Sequence, residues 1–173
     1  MRLALPILTA AAASAAPAPA EVKSSSATGF EVEAKALVAA TPAQTYAMLG
    51  RIGEWWERSH TYSGDAANLR LQLRPGGCFC ERLKGGGVEH MRVVYAEPGK
   101  RLRLQGGLGP LQGEAVAGTL TWTLKAVPGG TEVTQSYVVG GFVRGGADKL
   151  AAPVDMVLGQ QLQGLRRRLA KGR

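Results

Sequence analysis

A chain of 173 residues, 45% apolar and 20% charged, can bury the core of one globular domain and is too short for two of ordinary size. Its net charge of +8 is compatible with a nucleic-acid or acidic-membrane partner. Four of the positive charges, however, crowd the end of one predicted helix, and no basic stripe interleaved with aromatic residues accompanies them. We therefore expect no nucleic-acid partner.

The first twenty residues have the pattern of a secretory signal peptide. A short positive start precedes an apolar run from Leu3 to Ala16, and Ala18-Pro19-Ala20 supplies the small residues that a signal peptidase recognises. The competing interpretation is a membrane anchor, but the run is rich in alanine and short of the ~20 strongly apolar residues that a span needs. We predict a periplasmic or secreted protein with no stable membrane span once the signal is removed.

The remaining chain is predicted to be a short leader and a single domain. Residues 21–28 contain three consecutive serines and are predicted to be flexible, and residues 29–171 form the domain. Apolar and polar residues alternate from Gly29 to Ala40, which predicts the first strand. Thr41-Pro42 then has the pattern of a helix N-cap followed by proline at the first helical position.

Two short helices are predicted after this strand. The first covers Ala43 to Leu49, and the second covers about Ile52 to Arg58. The second carries Trp55 and Trp56. Adjacent side chains on a helix diverge by about 100°, so one tryptophan can point inward while its neighbour covers a rim or the surface.

Six further strands are predicted after a loop over residues 60–68. They cover about 69–74, 77–83, 88–96, 100–105, 114–126 and 131–142, and turns rich in glycine and proline separate them. Cys78 and Cys80 share one strand face, where alternate residues lie ~6.6 Å apart, whereas a disulfide needs Cβ atoms ~3.8 Å apart. Without a bulge these two residues should not bond each other, so we expect free thiols.

The last element is a long amphipathic helix, predicted from Pro153 to about Ala170. Its apolar stripe has three- and four-residue spacing and consists of Val154, Val157, Leu158, Leu162, Leu165 and Leu169. Sequential hairpins imply an antiparallel sheet, which must bury its apolar face against this helix. The expected fold is an α+β helix-grip: a seven-stranded antiparallel sheet curved around the C-terminal helix, with two short helices after strand 1.

This order of elements resembles the START-like superfamily of polyketide cyclases, birch-pollen-allergen-type carriers and chaperone ATPase activators. The resemblance covers about Phe30 to Ala170. It includes four stretches of familiar appearance: Thr41-Pro42, Glu54-Trp55-Trp56, Pro75-Gly76-Gly77 and Thr119-Leu120-Thr121-Trp122. None of them is a catalytic signature. The resemblance implies a hydrophobic cavity between sheet and helix that holds lipids, polyketides or other apolar molecules.

Candidate catalytic residues lie on the hairpin that follows Cys80. If Gly85-Gly86 is a two-residue turn, Glu81 lies opposite His90 and Phe79 opposite Arg92, which places all four side chains on one face. A carboxylate beside an imidazole raises the pKa of the histidine and fixes its tautomer, as in an acid/base pair.

The register of this hairpin decides whether the pair exists. A three-residue turn over Gly85 to Gly87 pairs Arg82 with His90 instead and separates His90 from Glu81. No metal site is expected from Cys78 and Cys80, because the Cys-x-Cys spacing lacks the two-residue gap of common zinc knuckles. No cofactor is expected either, because no glycine-rich segment matches a nucleotide-binding loop.

Two functions from different classes remain. The first is an exported, non-catalytic binding protein for an apolar small molecule, with five aromatic candidates for ligand contact: Trp55, Phe79, Tyr95, Trp122 and Tyr137. The second is a cyclase or aromatase in which Glu81, His90 and Arg92 handle protons and a developing enolate on a polyketide-like substrate. The shortage of convergent polar residues favours the binding protein.

The signal-peptide interpretation predicts the mature N-terminus. Cleavage after Ala20 leaves Glu21 as the first residue, and N-terminal sequencing of protein from a periplasmic extract should begin there. A cytosolic protein that begins at Met1 would contradict export.

Overall fold

The computed structural model describes residues 21–171, so the predicted signal peptide lies outside the described residues. The strands are β1 (Glu21–Ser26), β2 (Gly29–Val38), β3 (Leu69–Leu71), β4 (Cys78–Leu83), β5 (Gly86–Glu97), β6 (Arg101–Gln105), β7 (Ala115–Val127) and β8 (Gly130–Phe142). The α-helices are α1 (Pro42–Gly50) and α2 (Asp148–Ala170). Short 3₁₀ helices cover Ile52–Glu54, Arg58–His60, Ala66–Asn68 and Gly109–Gly113.

All eight strands form one antiparallel sheet in the order β1-β2-β8-β7-β6-β5-β4-β3. The inner face of the sheet is apolar, and α2 packs against it through Leu158, Leu162, Leu165 and Leu169, which are all buried. The α+β helix-grip arrangement predicted from the order of elements is confirmed. No helix within residues 21–171 is both long and apolar enough to cross a membrane.

Residues 21–28 are not the flexible leader that was predicted, and the sheet has eight strands where seven were expected. Glu21 to Ser26 form β1, which pairs with the edge of β2 from Glu21 opposite Glu33 to Ser26 opposite Gly29. Every side chain of β1 is exposed. The strand is held by backbone hydrogen bonds and not by apolar burial. Backbone pairing of this kind cannot be predicted from the amino-acid composition of the segment.

The start of α1 was predicted correctly, whereas the next helix was not. Thr41 caps α1: its side chain accepts a hydrogen bond from the Gln44 backbone N–H, and the Gln44 side chain accepts one from the Thr41 N–H. The predicted helix over Ile52 to Arg58 is instead two separate 3₁₀ turns. Trp55 and Trp56 lie between these turns and are both buried, so neither covers the surface.

The C-terminal helix starts earlier than predicted, at Asp148, and Pro153 lies inside it. Gly145 and Gly146, with φ of 85° and 97°, turn the chain into the helix in a conformation that favours glycine. Gly164 lets the helix approach the chain at Trp55, because a Cβ there would lie 2.2 Å from the Trp55 carbonyl oxygen. The extra turn at the N-terminal end lengthens the wall that α2 presents to the sheet.

A buried glutamine joins the helix to the sheet. Gln135 on β8 accepts a hydrogen bond from Trp122 Nε1 at 2.8 Å and donates one to the Leu158 carbonyl oxygen at 2.9 Å. Gln135 is 2% exposed, so both hydrogen bonds are shielded from water. They fix the position of α2 on the sheet near its midpoint.

The apolar contact between α2 and the sheet should dominate stability. Leu162→Asp places a carboxylate in the core, where Leu162 is 1% exposed, and should cost several kcal/mol, comparable with the whole stability of a domain of this size. Thermal denaturation followed by circular dichroism measures this loss. Arg167→Ala on the exposed side of the same helix is the control and should leave the melting temperature nearly unchanged; equal melting temperatures for Leu162→Asp and the parent would contradict this packing.

Candidate functional site

An apolar cavity of about 450 Å³ lies between the first half of α2 and the inner face of β4 and β5. Its apolar lining residues are Trp56, Phe79, Leu108, Pro110, Leu150, Pro153, Val154, Val157 and Leu158. The lining also includes the more polar side chains of His60, Thr61, Tyr62 and His90. The predicted stripe of α2 therefore divides into two parts: its first half lines the cavity, and its second half packs into the core.

A β-bulge places His90 on the wall of this cavity. Phe79 pairs with Met91 and Cys80 pairs with Glu89, so His90 is an extra residue on β5 without a partner on β4. As a result, His90 and Met91 are consecutive in the chain and both buried. A regular strand would send one of them to the outer face, and the bulge turns both inward.

The hairpin register differs from both alternatives that the sequence left open. Leu83 pairs with Gly86, so the turn residues are Lys84 and Gly85, and Glu81 lies opposite Val88. Glu81 still reaches His90, because His90 is its diagonal neighbour on the inner face. The predicted proximity of Glu81 and His90 is therefore correct, although the predicted pairing is wrong.

Glu81 and His90 form a buried hydrogen-bonded pair. Glu81 Oε2 lies 3.0 Å from His90 Nε2, and the two residues are 2% and 6% exposed. The carboxylate also accepts hydrogen bonds from the backbone N–H groups of Tyr62 and Ser63. Three N–H donors thus satisfy a carboxylate that would otherwise be costly to bury.

The two groups titrate so that the carboxylate is ionised and the imidazole is neutral at pH 7. Burial by itself would raise the pKa of Glu81, but hydrogen bonds from Ser63, Tyr62 and His90 outweigh it and lower that pKa. Burial lowers the pKa of His90, against the opposing effect of the Glu81 hydrogen bond and charge. Nε2 of the neutral imidazole then carries the proton that it donates to Glu81, and Nδ1 has a free lone pair.

His90 lines the cavity, and its Nδ1 atom is not occupied by the hydrogen bond to Glu81. Among residues 21–171, the buried side-chain nitrogen and oxygen atoms without a hydrogen-bond partner are the hydroxyls of Thr45 and Tyr46. Nδ1 accepts no hydrogen bond from a described residue. His90 is also one of the residues that line the cavity. The arrangement of carboxylate, imidazole and free lone pair is that of a general base.

The second histidine is held in a different way. His60 Nδ1 lies 2.9 Å from Gln161 Nε2, and Gln161 Oε1 accepts a hydrogen bond from the Glu57 backbone N–H at 2.7 Å. Gln161 is fully buried on α2. The amide therefore joins the helix to the segment that carries Trp56 and His60, and His60 Nδ1 is the acceptor of this hydrogen bond.

Tyr62 spans the edge of the cavity. Its hydroxyl donates a hydrogen bond to the Gly109 carbonyl oxygen at 3.0 Å, and its ring lies 5.8 Å from the ring of His90. The side chain is about half exposed, at 53%. It joins two chain segments that line the cavity, so the cavity is bounded there by a single hydrogen-bonded side chain.

Of the five aromatic residues predicted to bind ligand, only Phe79 lines the cavity. Trp55, Trp122 and Tyr137 are buried in the core: Trp55 packs edge-on against Trp122, and the Tyr137 hydroxyl donates to the Gly106 carbonyl oxygen. Tyr95 lies on the outer face, where it is 40% exposed and its hydroxyl donates to Glu97. All four residues lie outside the lining, and the three buried ones belong to the core.

Arg92 also lies outside the site. It pairs with Cys78 on the outer face of the sheet, is exposed, and forms an ion pair with Glu89. The prediction that it shares a face with Phe79 and Glu81 is wrong, because the bulge at His90 reverses the alternation beyond that point. Within residues 21–171, no arginine or lysine is among the cavity-lining residues.

The two cysteines are joined, which contradicts the prediction of free thiols. Cys78 and Cys80 form a disulfide with a Cα–Cα distance of 5.4 Å, shorter than the spacing of alternate residues in a regular strand. The two sulfur atoms and a Glu89 carboxylate oxygen lie within 4.8 Å of one another, which is a geometry that could hold a metal ion. In the disulfide form the sulfurs are not thiolates, and Glu89 is engaged by Arg92.

Several lining residues were missed by sequence reasoning. Trp56 and Tyr62 lie on irregular chain between 3₁₀ turns, where no periodicity assigns a direction to a side chain. Leu108 and Pro110 lie between β6 and β7, at the start of a short 3₁₀ helix, where the sequence was interpreted only as a turn between strands. The two adjacent tryptophans, Trp55 and Trp56, are visible in the sequence, but the sequence does not indicate which of the two faces the cavity.

Comparison with known proteins agrees with this architecture. Similar solved structures include protein MLL2253 from Mesorhizobium loti, with 18% identity, a TM-score of 0.62, and coverage of 83% of this chain and 98% of that one. CalU16 from Micromonospora echinospora has 13% identity, a TM-score of 0.59, and coverage of 88% and 87%. The Aha1 dimer from Colwellia psychrerythraea has 18% identity, a TM-score of 0.57, and coverage of 83% and 98%.

At these identities the structural similarities establish the fold alone. No curated protein matches the sequence. The family model for polyketide cyclase/dehydrase and lipid transport proteins matches residues 29–170, which is the whole sheet except β1 together with both α-helices. The chain therefore belongs to the polyketide cyclase/dehydrase and lipid transport family.

Proposed function

We propose that this protein binds an apolar small molecule, lipid-like or polyketide-like, in the cavity between α2 and the β4–β5 hairpin. The observation that carries the proposal is the cavity itself, with its volume of about 450 Å³ and predominantly aliphatic and aromatic lining. Pockets of ~300–1,000 Å³ with apolar walls and few polar groups are typical of small-molecule sites.

The walls of the cavity are held in place before any ligand binds. Gln135 fixes α2 to the sheet, Gln161 fixes α2 to the segment at His60, and Tyr62 fixes that segment to the loop at Gly109. These contacts come from four separate parts of the chain. A preformed site avoids the cost of ordering its walls on binding, which favours affinity for a ligand that offers mainly apolar surface.

We also propose that the protein acts outside the cytoplasm. The N-terminal sequence has the charge and hydropathy pattern of a signal peptide, and Cys78 and Cys80 are paired as a disulfide. Disulfides persist mainly in oxidising compartments, which supports a periplasmic or secreted location.

Filling the cavity should weaken ligand binding. Val157 is half-buried on the cavity side of α2, so Val157→Phe puts an aromatic ring into the space a ligand would occupy. We expect the dissociation constant for anilinonaphthalene sulfonate, measured by fluorescence titration, to rise at least about tenfold, which is about 1.4 kcal/mol.

Met156→Phe is the matched control for this substitution. Met156 is the preceding residue of α2, is 58% exposed and does not line the cavity, so the same added ring should leave affinity unchanged. If Val157→Phe, Met156→Phe and the parent bind the probe with equal affinity and have equal melting temperatures, the probe binds at another site. That result would reject this cavity as the ligand site.

A second function, proton transfer on a bound polyketide-like substrate, is favoured by the Glu81–His90 pair. His90 Nδ1 would take a proton from an activated carbon of the substrate, and the Glu81 carboxylate would stabilise the imidazolium that forms. Cyclases also need a group that stabilises the enolate. Arg92, which was expected in that role, lies on the outer face, so we rank binding without catalysis first.

Glu81→Gln separates the two functions. If His90 is a general base, the substitution should lower turnover of a poly-β-ketone ester by ~10²–10⁴-fold while affinity changes little. Because the pKa of His90 is lowered, its free base persists through neutral pH, and activity should fall only on acidification below the ordinary histidine value of about 6.5. Turnover rates of the parent protein, measured over a range of pH, provide this dependence of activity on pH.

Glu132→Gln is the control, because Glu132 belongs to β8 and is not among the cavity-lining residues. It should leave any turnover unchanged. Absence of turnover in the parent, together with probe binding that Val157→Phe weakens, would support binding alone and eliminate the catalytic alternative.

A further inference from the structure

We propose that Cys78 and Cys80 form a thiol–disulfide exchange site on the outer face of β4, which takes a dithiol as its co-reactant and controls the cavity wall at Phe79. Neither the apolar binding function nor the Glu81–His90 pair uses these cysteines. Only the ligand readout of this inference rests on the proposed binding function.

Cys78 and Cys80 are accessible from solvent, while Phe79 between them faces the cavity. Both cysteines are partly exposed, and Cys80 lies opposite Glu89 on the outer face. Phe79 points to the other face, is 1% exposed and lines the cavity. A reagent in solution can therefore reach the sulfur atoms without entering the cavity, while the only residue between them belongs to the ligand site.

The disulfide shortens the strand at Phe79. The Cα atoms of Cys78 and Cys80 are 5.4 Å apart, whereas two residues of regular strand span about 6.6 Å. Reduction removes this constraint and lets β4 extend by about 1 Å at the position of Phe79. Cβ atoms of the reduced pair need not stay within the ~3.8 Å that a disulfide requires.

A movement of Phe79 changes both the floor of the cavity and the candidate base. Its ring centroid lies 4.9 Å from that of His90 and 5.4 Å from that of Trp56, and all three residues line the cavity. The bulge that turns His90 inward lies between the pairs Phe79–Met91 and Cys80–Glu89. The disulfide on β4 and the bulge on β5 thus constrain the same residue pairs of the two strands.

One dithiol molecule is sufficient to reduce the disulfide completely. A thiolate of the reductant attacks one sulfur of the pair, which forms a mixed disulfide and releases the other cysteine as a thiolate that takes up a proton. The second thiol of the reductant then attacks its own mixed disulfide and releases the second cysteine. The pair gains two electrons and two protons, and the dithiol leaves as a cyclic disulfide.

This bridge is suited to local control and contributes little to global stability. It closes a loop of only three residues, and the stabilisation from a disulfide grows with the length of the loop that it closes. Reduction should therefore leave the fold intact while it loosens the wall at Phe79. Because a looser wall must be ordered again on binding, the reduced protein should bind ligand more weakly.

The experiment compares the oxidised protein with the protein reduced by dithiothreitol. Titration with Ellman's reagent under denaturing conditions should find no free thiol before reduction and two after it. The dissociation constant for anilinonaphthalene sulfonate should be at least about fivefold higher in the reduced protein, the lower end of typical coupling between two sites. The imidazole resonances of His90 should shift between the two states in the absence of any ligand.

The double variant Cys78→Ser/Cys80→Ser is the control, since it should match the reduced protein and not respond to dithiothreitol. The proposal would be overturned if the protein contained two free thiols that diamide cannot oxidise. It would also be overturned if dithiothreitol reduced the disulfide completely but changed neither the affinity for the probe nor the His90 resonances. A shift of the His90 resonances with no probe binding in either state would support the exchange site while rejecting the cavity function.

Discussion

Apolar burial between α2 and the inner face of the sheet is the interaction on which the rest of this structure depends. The second half of the helical stripe, Leu162, Leu165 and Leu169, packs into the core, and the Gln135 and Gln161 amides fix the helix laterally. The first half, Val154, Val157 and Leu158, lines the cavity opposite Phe79 on β4 and His90 on β5. This difference along one helix creates the cavity, because side chains that would otherwise meet the sheet face an open volume instead.

The chemistry of the cavity comes from one irregularity in the sheet. A bulge inserts His90 into β5, turns it inward next to Phe79, and brings its Nε2 to the Glu81 carboxylate. The same shift removes Arg92 to the outer face. In the part of the chain that the structure describes, the site therefore has a base and a mainly apolar wall but no arginine or lysine among its lining residues. This is the physical reason that binding ranks above catalysis.

The fold was largely predictable because it follows from periodicity. Alternation in β2 and the three- and four-residue spacing of the stripe in α2 each report which side is buried, and Thr41-Pro42 reports a helix start. The site was less predictable, because only part of its lining comes from the periodic stripe of α2 and the rest comes from places where periodicity stops. Trp56 and Tyr62 lie between turns, and the disulfide of Cys78 with Cys80 requires a strand that departs from regular spacing.

By itself, the sequence determined the order of elements, the α+β class, the apolar stripe of the last helix and the presence of Glu81 and His90 on neighbouring strands. These are local properties, since each depends on residues a few positions apart. Only the tertiary structure decided that β1 extends the sheet, that His90 rather than Arg92 faces inward, and that Trp56 rather than Trp55 lines the cavity. For His90 and Arg92 the reason is that a one-residue shift in strand pairing reverses the face of every residue beyond it, and contacts between distant segments set such a shift. For β1 and Trp56 the reason is that neither lies in a segment whose periodicity assigns a buried face, so contacts with distant segments decide their positions.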